Sequence, residues 1–235
     1  MNREFSENRH LKREYLDNVT FRLSMASLEL EGEDGDLSTP EQTMKIWNQK
    51  SALFYVLNNK SLIYNHYDFL SHICEINSRL TGGEIENFRT TSAQVMGSSI
   101  ERTPAMYIRQ ELLYLVDDHN YHLKQFFMEK DVKQFFYNEA MFHMKFLHIH
   151  PFEDGNGRTA RVLLFKHLFL NGFAPAVITR EVKKKYCDLI ENKDVQGLAD
   201  LFYELSNVEQ KNMQLLYDRV MQEQQGDIRG RKWKL

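Results

Sequence analysis

The stretch HIHPFEDGNGRTARVLLF, residues 148–165, places histidines, two adjacent carboxylates, a Gly-Asn-Gly turn and two arginines directly ahead of an apolar run. Gly155 and Gly157 tolerate positive φ, so the backbone N–H groups of the turn, Asn156 included, can point into one concavity. The apolar run predicts a helix, whose unpaired first-turn amides and dipole add positive potential. The stretch therefore predicts a phosphate-binding cradle between two helices.

Charged side chains around this turn indicate which anion it suits. Arg158 and Arg161 lie three residues apart, on one face of the predicted helix, where they oppose its dipole unless an anion binds. Together with the turn they offer more donors than one phosphate uses, which indicates a polyphosphate. Asp154 would repel those phosphates unless Mg²⁺ lay between them. His150, with a near-neutral pKa, is the natural general base, so the pattern predicts phosphoryl or nucleotidyl transfer.

A metal-dependent hydrolase is the alternative interpretation of the same residues. Its ligands would be His143, His148 and His150 with Glu153 or Asp154. Spacings of five and two residues do not place three histidines on one helical face, which disfavours this alternative.

Long apolar periodicities interrupted by only four prolines predict an all-α fold. Thr39, Pro40 and Gln42 predict a helix start near residue 40. Residues 86–104, rich in Ser and Thr, favour a short β-hairpin or an irregular flap instead. The predicted helices cover residues 16–30, 40–54, 66–80, 104–118, 130–147, 158–170, 180–191 and 195–222.

Composition excludes several classes of protein. The 235 residues suffice for one sizeable core, and a net charge of −3 gives no reason to expect a nucleic-acid partner. No run is long and apolar enough for a membrane span or a signal region. Cys74 and Cys187 lie far apart, as is typical of a reducing compartment. We therefore expect a soluble, cytoplasmic protein.

The segment HPFEDGNGRTAR, residues 150–161, resembles the Fic motif HxFx(D/E)GNGRxxR at every specified position. This resemblance implies an all-α, Fic-type helical bundle with a small β-hairpin flap. Its core would cover about residues 60–205, within a domain of residues 39–235 that ends in a C-terminal helix and a basic tail. The implied activity is that of a protein adenylyltransferase, which moves AMP from Mg-ATP to a Tyr, Thr or Ser hydroxyl.

The resemblance also assigns roles. His150 would deprotonate the hydroxyl, Asp154 would bind Mg²⁺, and Gly155, Asn156 and Gly157 would hold the α- and β-phosphates. Arg158 would contact the phosphate chain and Arg161 the γ-phosphate. Tyr186 and Asp194 would line the adenosine pocket. The flap segment FRTTSAQVMG, residues 88–97, would hold a target protein or another part of this chain by strand pairing.

A second motif predicts a brake on this activity. SLELEG, residues 27–32, is similar to the inhibitory motif (S/T)xxxE(G/N) that accompanies many Fic domains. Ser27 and Glu31 are four residues apart and share one helical face. The resemblance implies that residues 1–38 form an inhibitory helix and an acidic turn, with Glu31 paired to Arg161. A de-AMPylating hydrolase that uses Glu31, a nucleotide-binding regulatory protein without turnover, and a homodimer remain open.

Overall fold

The computed structural model describes residues 9–32, 39–83, 88–94 and 100–231. No strand occurs in these residues, so the predicted all-α class is confirmed. Single turns of 3₁₀ helix at Ala105–Tyr107 and Arg180–Val182 precede two of the helices. The α-helices are α1 (Arg9–Leu30), α2 (Pro40–Asn58), α3 (His66–Thr81), α4 (Ile108–Glu129), α5 (Val132–Ile149), α6 (Asn156–Leu170), α7 (Lys183–Glu191) and α8 (Val195–Arg231).

Local sequence sets several of the helix ends. The side chain of Thr39 accepts a hydrogen bond from the backbone N–H of Gln42, and Pro40 takes the first position of α2, as predicted. Asp131 caps α5 in the same way. Gly82 ends α3 in a left-handed conformation with φ of 70°.

The apolar run after the Gly-Asn-Gly turn forms α6, which lies at the centre of the bundle. Every side chain from Val162 to Phe169 is buried. α6 packs against α2, α3 and α5, and α5 packs in turn against α4 and α8. Burying an apolar side chain such as Leu163 or Phe165 contributes about 1.5–3 kcal/mol. Because α6 is held on several sides, the turn at its N-terminus is held with it.

The N-terminal helix α1 shares this packing. Leu11, Tyr15 and Val19 are buried in one of the two core clusters, and α1 packs against α2 and α8. The acidic turn that follows α1 lies outside the described residues. The domain division between residues 38 and 39 stays a prediction.

The predicted β-hairpin over residues 86–104 falls partly outside the described residues. Residues 88–94 and 100–104 form no strand. They lie along the loop that joins α5 to α6, because the N–H of Arg89 donates to the carbonyl oxygen of Pro151 (2.9 Å) and that of Thr103 to His148 (3.3 Å). The hairpin itself stays a prediction. Of the helices in the described ranges, none has the length and apolar character that a membrane span requires.

Candidate active site

The loop between α5 and α6 is fixed by its own side chains. α5 ends at His150, whose φ of 50° is left-handed and whose N–H donates to Phe146. Phe152 is buried, and its ring packs on Phe88 with centroids 5.7 Å apart. The side-chain amide of Asn156 bonds both the N–H of Phe152 (2.9 Å) and its carbonyl oxygen (2.7 Å). The Asn156 side chain therefore holds the loop, and only its backbone N–H is left to face an anion.

The two glycines form the tight part of the turn. Gly155 has φ of 78°, and a Cβ there would lie 2.7 Å from the amide nitrogen of Asn77. A Cβ on Gly157 would lie 3.1 Å from both the Arg161 guanidinium and a carboxylate oxygen of Glu31. The backbone N–H groups in the first turn of α6 lie next to the two glycines and have no hydrogen-bond acceptors within the helix. The turn is thus a cradle for an anion, and the carboxylate of Glu31 lies at it.

Asp154 and Arg158 form an ion pair at the mouth of the cradle. Their closest nitrogen and oxygen are 2.6 Å apart, and the Asp154 side chain is 76% exposed. Its other oxygen accepts from the N–H of Gly155 at 2.6 Å. An exposed carboxylate beside a phosphate cradle has the donor chemistry that Mg²⁺ requires, so Asp154 fits this cation. Arg158 also donates to the carbonyl oxygen of Leu80 near the end of α3 (3.3 Å). This bond directs the guanidinium of Arg158 from α6 toward α3.

His150 differs from its sequence-based expectation in one respect. Partial burial and then the positive charge of Arg102 lower its pKa from 6.5 to about 4, whereas the sequence suggested a near-neutral value. The imidazole is therefore neutral at pH 7 and can accept a proton, although it is a weaker base than an exposed histidine.

Arg161 is held by the end of α1. Its Nε donates to the hydroxyl of Ser27 (2.9 Å), and one terminal nitrogen donates to the Ser27 carbonyl oxygen (3.1 Å) and to Glu31 (2.6 Å). The Arg161 side chain is 11% exposed and that of Glu31 is 42% exposed. The contact expected between Glu31 and Arg161 is thus present, with Ser27 as a second partner from the same helical face.

The two residues expected in an adenosine pocket have other partners here. The Tyr186 hydroxyl bonds His143 at 2.7 Å, and Tyr186 is buried beside Arg161. Asp194 accepts from the N–H of Gly197 (2.8 Å) at the start of α8, which is a capping role. Their contribution to adenosine binding stays a prediction.

The metal-hydrolase alternative has no support in the described part of the chain. His143, His148 and His150 do not come together there in a group that could hold a metal ion. His143 is buried against Tyr186, which explains why it cannot join the loop histidines.

Residues 67–168, which contain α3 to α5 and most of α6, match the sequence model of the Fic/DOC family. The chain contains a Fic/DOC family domain. It is 34% identical over 148 residues to a protein adenylyltransferase Fic from Aedes aegypti, covering 60% of this chain and 27% of that protein. It is 46% identical over 52 residues to the Culex quinquefasciatus protein of the same name, covering 22% of this chain and 10% of that one. The chain thus spans about a quarter or less of the length of these relatives.

Solved structures show the same fold. A Fic domain containing signaling protein from Bacteroides thetaiotaomicron superposes with a TM-score of 0.68 at 18% identity, covering 89% of both chains. Fic-1 from C. elegans superposes with a TM-score of 0.66 at 20% identity, covering 92% of this chain and 68% of that one. The Fic-type bundle therefore extends well beyond residues 67–168.

Arg89 is a site residue of this Fic domain that the sequence did not reveal. Its guanidinium donates to the main-chain oxygens of His150 (2.6 Å), Ile149 (3.1 Å), Thr91 (2.6 Å) and Thr103 (2.5 Å). Arg89 is 3% exposed. No motif marks it, because its partners are main-chain oxygens as far as 61 residues away along the chain. Arg89 therefore fixes the backbone that presents His150.

Asn77 supports the other side of the loop. Its amide donates to the carbonyl oxygen of Asp154 (2.8 Å), and Asn77 is 1% exposed. A buried polar residue on the apolar face of α3 is the signal that could have indicated it.

We expect Arg89→Met to destabilise the Fic domain by at least about 3 kcal/mol, because each of its four carbonyl partners that is left buried without a donor costs about 1–3 kcal/mol. Equilibrium unfolding in urea measures this loss. Arg109→Met, at an exposed position on α4, is the matched control and should change stability by no more than about 0.5 kcal/mol. Equal stability of the two variants would show that the Arg89 contacts do not hold the loop.

Proposed function

We propose that this chain transfers AMP from Mg-ATP to a hydroxyl group of a protein. The observation that carries the proposal is the placement of His150 on the loop that leads into the anion cradle and into α6, which carries Arg158 and Arg161. Matches to proteins named protein adenylyltransferase Fic support this choice among phosphate-transfer reactions.

Each group has a role in that reaction. The hydroxyl oxygen of the target attacks the α-phosphorus, His150 takes its proton, and pyrophosphate leaves. The backbone amides of residues 155–157 hold the α- and β-phosphates. Arg158 contacts the phosphate chain, and Arg161 receives the γ-phosphate. Mg²⁺, which Asp154 would hold, supplies positive charge to the phosphates.

In the proposed resting state Glu31 restrains the enzyme. Its carboxylate lies where an anion would enter, next to Gly157, and it takes a donor of Arg161. A γ-phosphate would have to compete with this carboxylate for the same guanidinium. ATP can then bind only without that contact, with its α-phosphate misaligned for in-line attack.

The inhibitory helix is well placed to keep Glu31 there. Glu209 of α8, which is 2% exposed, accepts hydrogen bonds from Tyr15 (2.9 Å) and Arg22 (2.8 and 2.6 Å) of α1. Hydrogen bonds to a buried charge are stronger than neutral ones. These contacts hold α1 against α8 and so keep its C-terminal end, which leads to Glu31, at the cradle.

The protein target is expected to lie along residues 88–97. Thr91 and Ser92 are exposed on this segment, and residues 95–97 are outside the described part of the chain. The Thr91 hydroxyl bonds Glu153 on the loop (3.1 Å), which ties the segment to the active site. It stays a prediction that the target is another protein or this chain itself. Cytoplasmic localisation and a homodimer also stay predictions.

Incubating the protein with ATP labelled at either the α- or the γ-phosphate tests the reaction. AMP transfer predicts that α-label and the mass of AMP become attached to protein in the presence of Mg²⁺, whereas γ-label does not. Asp154→Asn should abolish labelling, and Glu153→Gln, the matched change at the neighbouring carboxylate, should retain it. Retention of γ-label would indicate phosphorylation. Nucleotide-induced thermal shifts without either label, in the unaltered chain and in Glu31→Gly alike, would indicate a binding protein without turnover.

A further inference from the structure

Three polar side chains from three helices meet in the interior of the bundle, away from the cradle. They are His119 of α4, Glu139 of α5 and His167 of α6, which are 6%, 3% and 0% exposed. Nδ1 of His167 lies 2.8 Å from one oxygen of Glu139, and Nδ1 of His119 lies 3.9 Å from the other. The two imidazole rings stack with centroids 4.3 Å apart. This cluster is referred to below as the His-Glu-His cluster.

The cluster is separate from the active site. His167 lies in the last turn of α6, and Gly157 lies in its first turn. Ten residues of α-helix at 1.5 Å per residue place them roughly 15 Å apart along the axis. The proposed transfer reaction uses none of the three residues.

Each imidazole has one nitrogen without a partner. Nε2 of His119 and Nε2 of His167 are buried and form no hydrogen bond among the described residues. Other contacts orient the two rings. Glu139 holds the ring of His167 through Nδ1, and the backbone of Leu62 holds the ring of His119. Leaving a buried polar atom unpaired costs about 1–3 kcal/mol, so two such atoms on a pair of stacked rings point to a ligand. An imidazole whose second nitrogen is held by a carboxylate or a carbonyl is the usual state of a metal ligand.

We propose that the His-Glu-His cluster binds one transition-metal ion of the zinc class. Each residue offers one ligand atom, and these three atoms all lie within 4.8 Å of one another, so small side-chain movements close them around one ion. Two imidazole nitrogens and the oxygen of Glu139 that does not bond His167 suit Zn²⁺ or Co²⁺ and do not suit Mg²⁺ or Ca²⁺, which prefer oxygen ligands.

The surroundings fit a bound cation. A pocket of about 340 Å³, counting the solvent at its mouth, reaches His119 and Glu139 from the side of Asp118 and His122, which gives an ion a way in. The ammonium group of Lys166 lies 2.9 Å from Nε2 of His72 and over the ring of Tyr64, and burial lowers the pKa of Lys166 to about 7, which reduces its positive charge near the cluster at neutral pH. A bound ion would join α4, α5 and α6, and two of these helices flank the loop that carries His150.

Metal binding can be tested on the whole chain. Protein stripped with a chelator is titrated with Co²⁺ in excess Mg²⁺, so that Mg²⁺ occupies Asp154, and the visible absorption of coordinated Co²⁺ is recorded. We expect one equivalent to bind, Zn²⁺ to displace it, and Zn²⁺ to raise the midpoint of thermal unfolding. X-ray absorption of the zinc-loaded protein should show two imidazole ligands.

Variants locate the site. Glu139→Gln and His119→Gln should weaken binding by more than about 100-fold, since changes outside the ligand shell already cost 10- to 100-fold. His122→Gln, at the mouth of the same pocket, is the matched control and should bind as the unaltered protein does. Circular dichroism establishes that each variant is folded.

Several results would overturn the proposal. Less than one equivalent of Co²⁺ in the unaltered protein would do so without any variant, as would a zinc spectrum that lacks imidazole ligands. Binding that survives Glu139→Gln and is lost in His122→Gln would assign the ion to the pocket mouth. Binding that is lost only in Asp154→Asn would assign it to the active site.

Discussion

Replacing Glu31 by glycine is expected to raise AMP incorporation roughly 10- to 100-fold. In the structure Glu31 lies 2.6 Å from Arg161 and beside the Gly157 end of the cradle. The variant frees one terminal nitrogen of Arg161 for the γ-phosphate and removes a negative charge from the path of the triphosphate. The increase should appear as a higher initial rate of α-label transfer at saturating Mg-ATP.

The size of this effect follows from the kind of contact that is exchanged. A hydrogen bond to a charged group contributes about 1.5–3 kcal/mol, and 1.4 kcal/mol corresponds to a tenfold change in rate. An exposed ion pair alone would contribute about 1 kcal/mol or less. Arg161 is only 11% exposed, and Ser27 holds it in place, so the larger range applies.

Glu29→Gly is the matched control for this variant. It removes the same charge and introduces the same glycine two residues earlier, in the last turn of α1, and it leaves the pair between Glu31 and Arg161 in place. We expect it to label at the rate of the unaltered chain. Equal rates for all three proteins, with ATP binding retained in calorimetry, would show that Glu31 does not restrain the enzyme.

The features predicted from sequence are those in which short spacing decides geometry. The spacing of three residues from Arg158 to Arg161, and of four from Ser27 to Glu31, fixes which side chains share a helical face. The side-chain cap at Thr39 and the glycines of the Gly-Asn-Gly turn likewise determine local structure through neighbours only a few residues away. Such local rules also predicted the all-α class and most of the helix positions.

Features that depend on distant partners could not be predicted. The guanidinium of Arg89 reaches main-chain oxygens of another segment, and the Asn156 side chain turns inward to hold the loop rather than outward to a phosphate. The lowered pKa of His150 arises from burial and from Arg102, which lies 48 residues earlier in the chain. The His-Glu-His cluster draws one residue from each of three helices, so no spacing rule indicates it.

Removing the imidazole of His150 is expected to lower AMP transfer about 100- to 10,000-fold, the usual contribution of a positioned general base. The Glu31→Gly chain is the background for this comparison, because its higher rate leaves room to measure the loss. His150 has a left-handed φ of 50°, a conformation that asparagine tolerates better than alanine. We therefore expect His150→Asn to show the same loss as His150→Ala with less damage to the loop.

His148→Ala is the control. His148 is exposed two residues before His150, so this variant should retain transfer.

The pH dependence gives an independent measure of the base. His150 accepts a proton only when neutral, so transfer is lost as pH falls through its pKa. With that pKa lowered to about 4, kcat/KM should stay level from pH 7 to well below 6.5, provided that circular dichroism shows the fold intact. A decline centred near pH 6.5 would show that burial and Arg102 do not lower the pKa of His150 in the enzyme, whereas full activity in His150→Asn would remove His150 from the role of base.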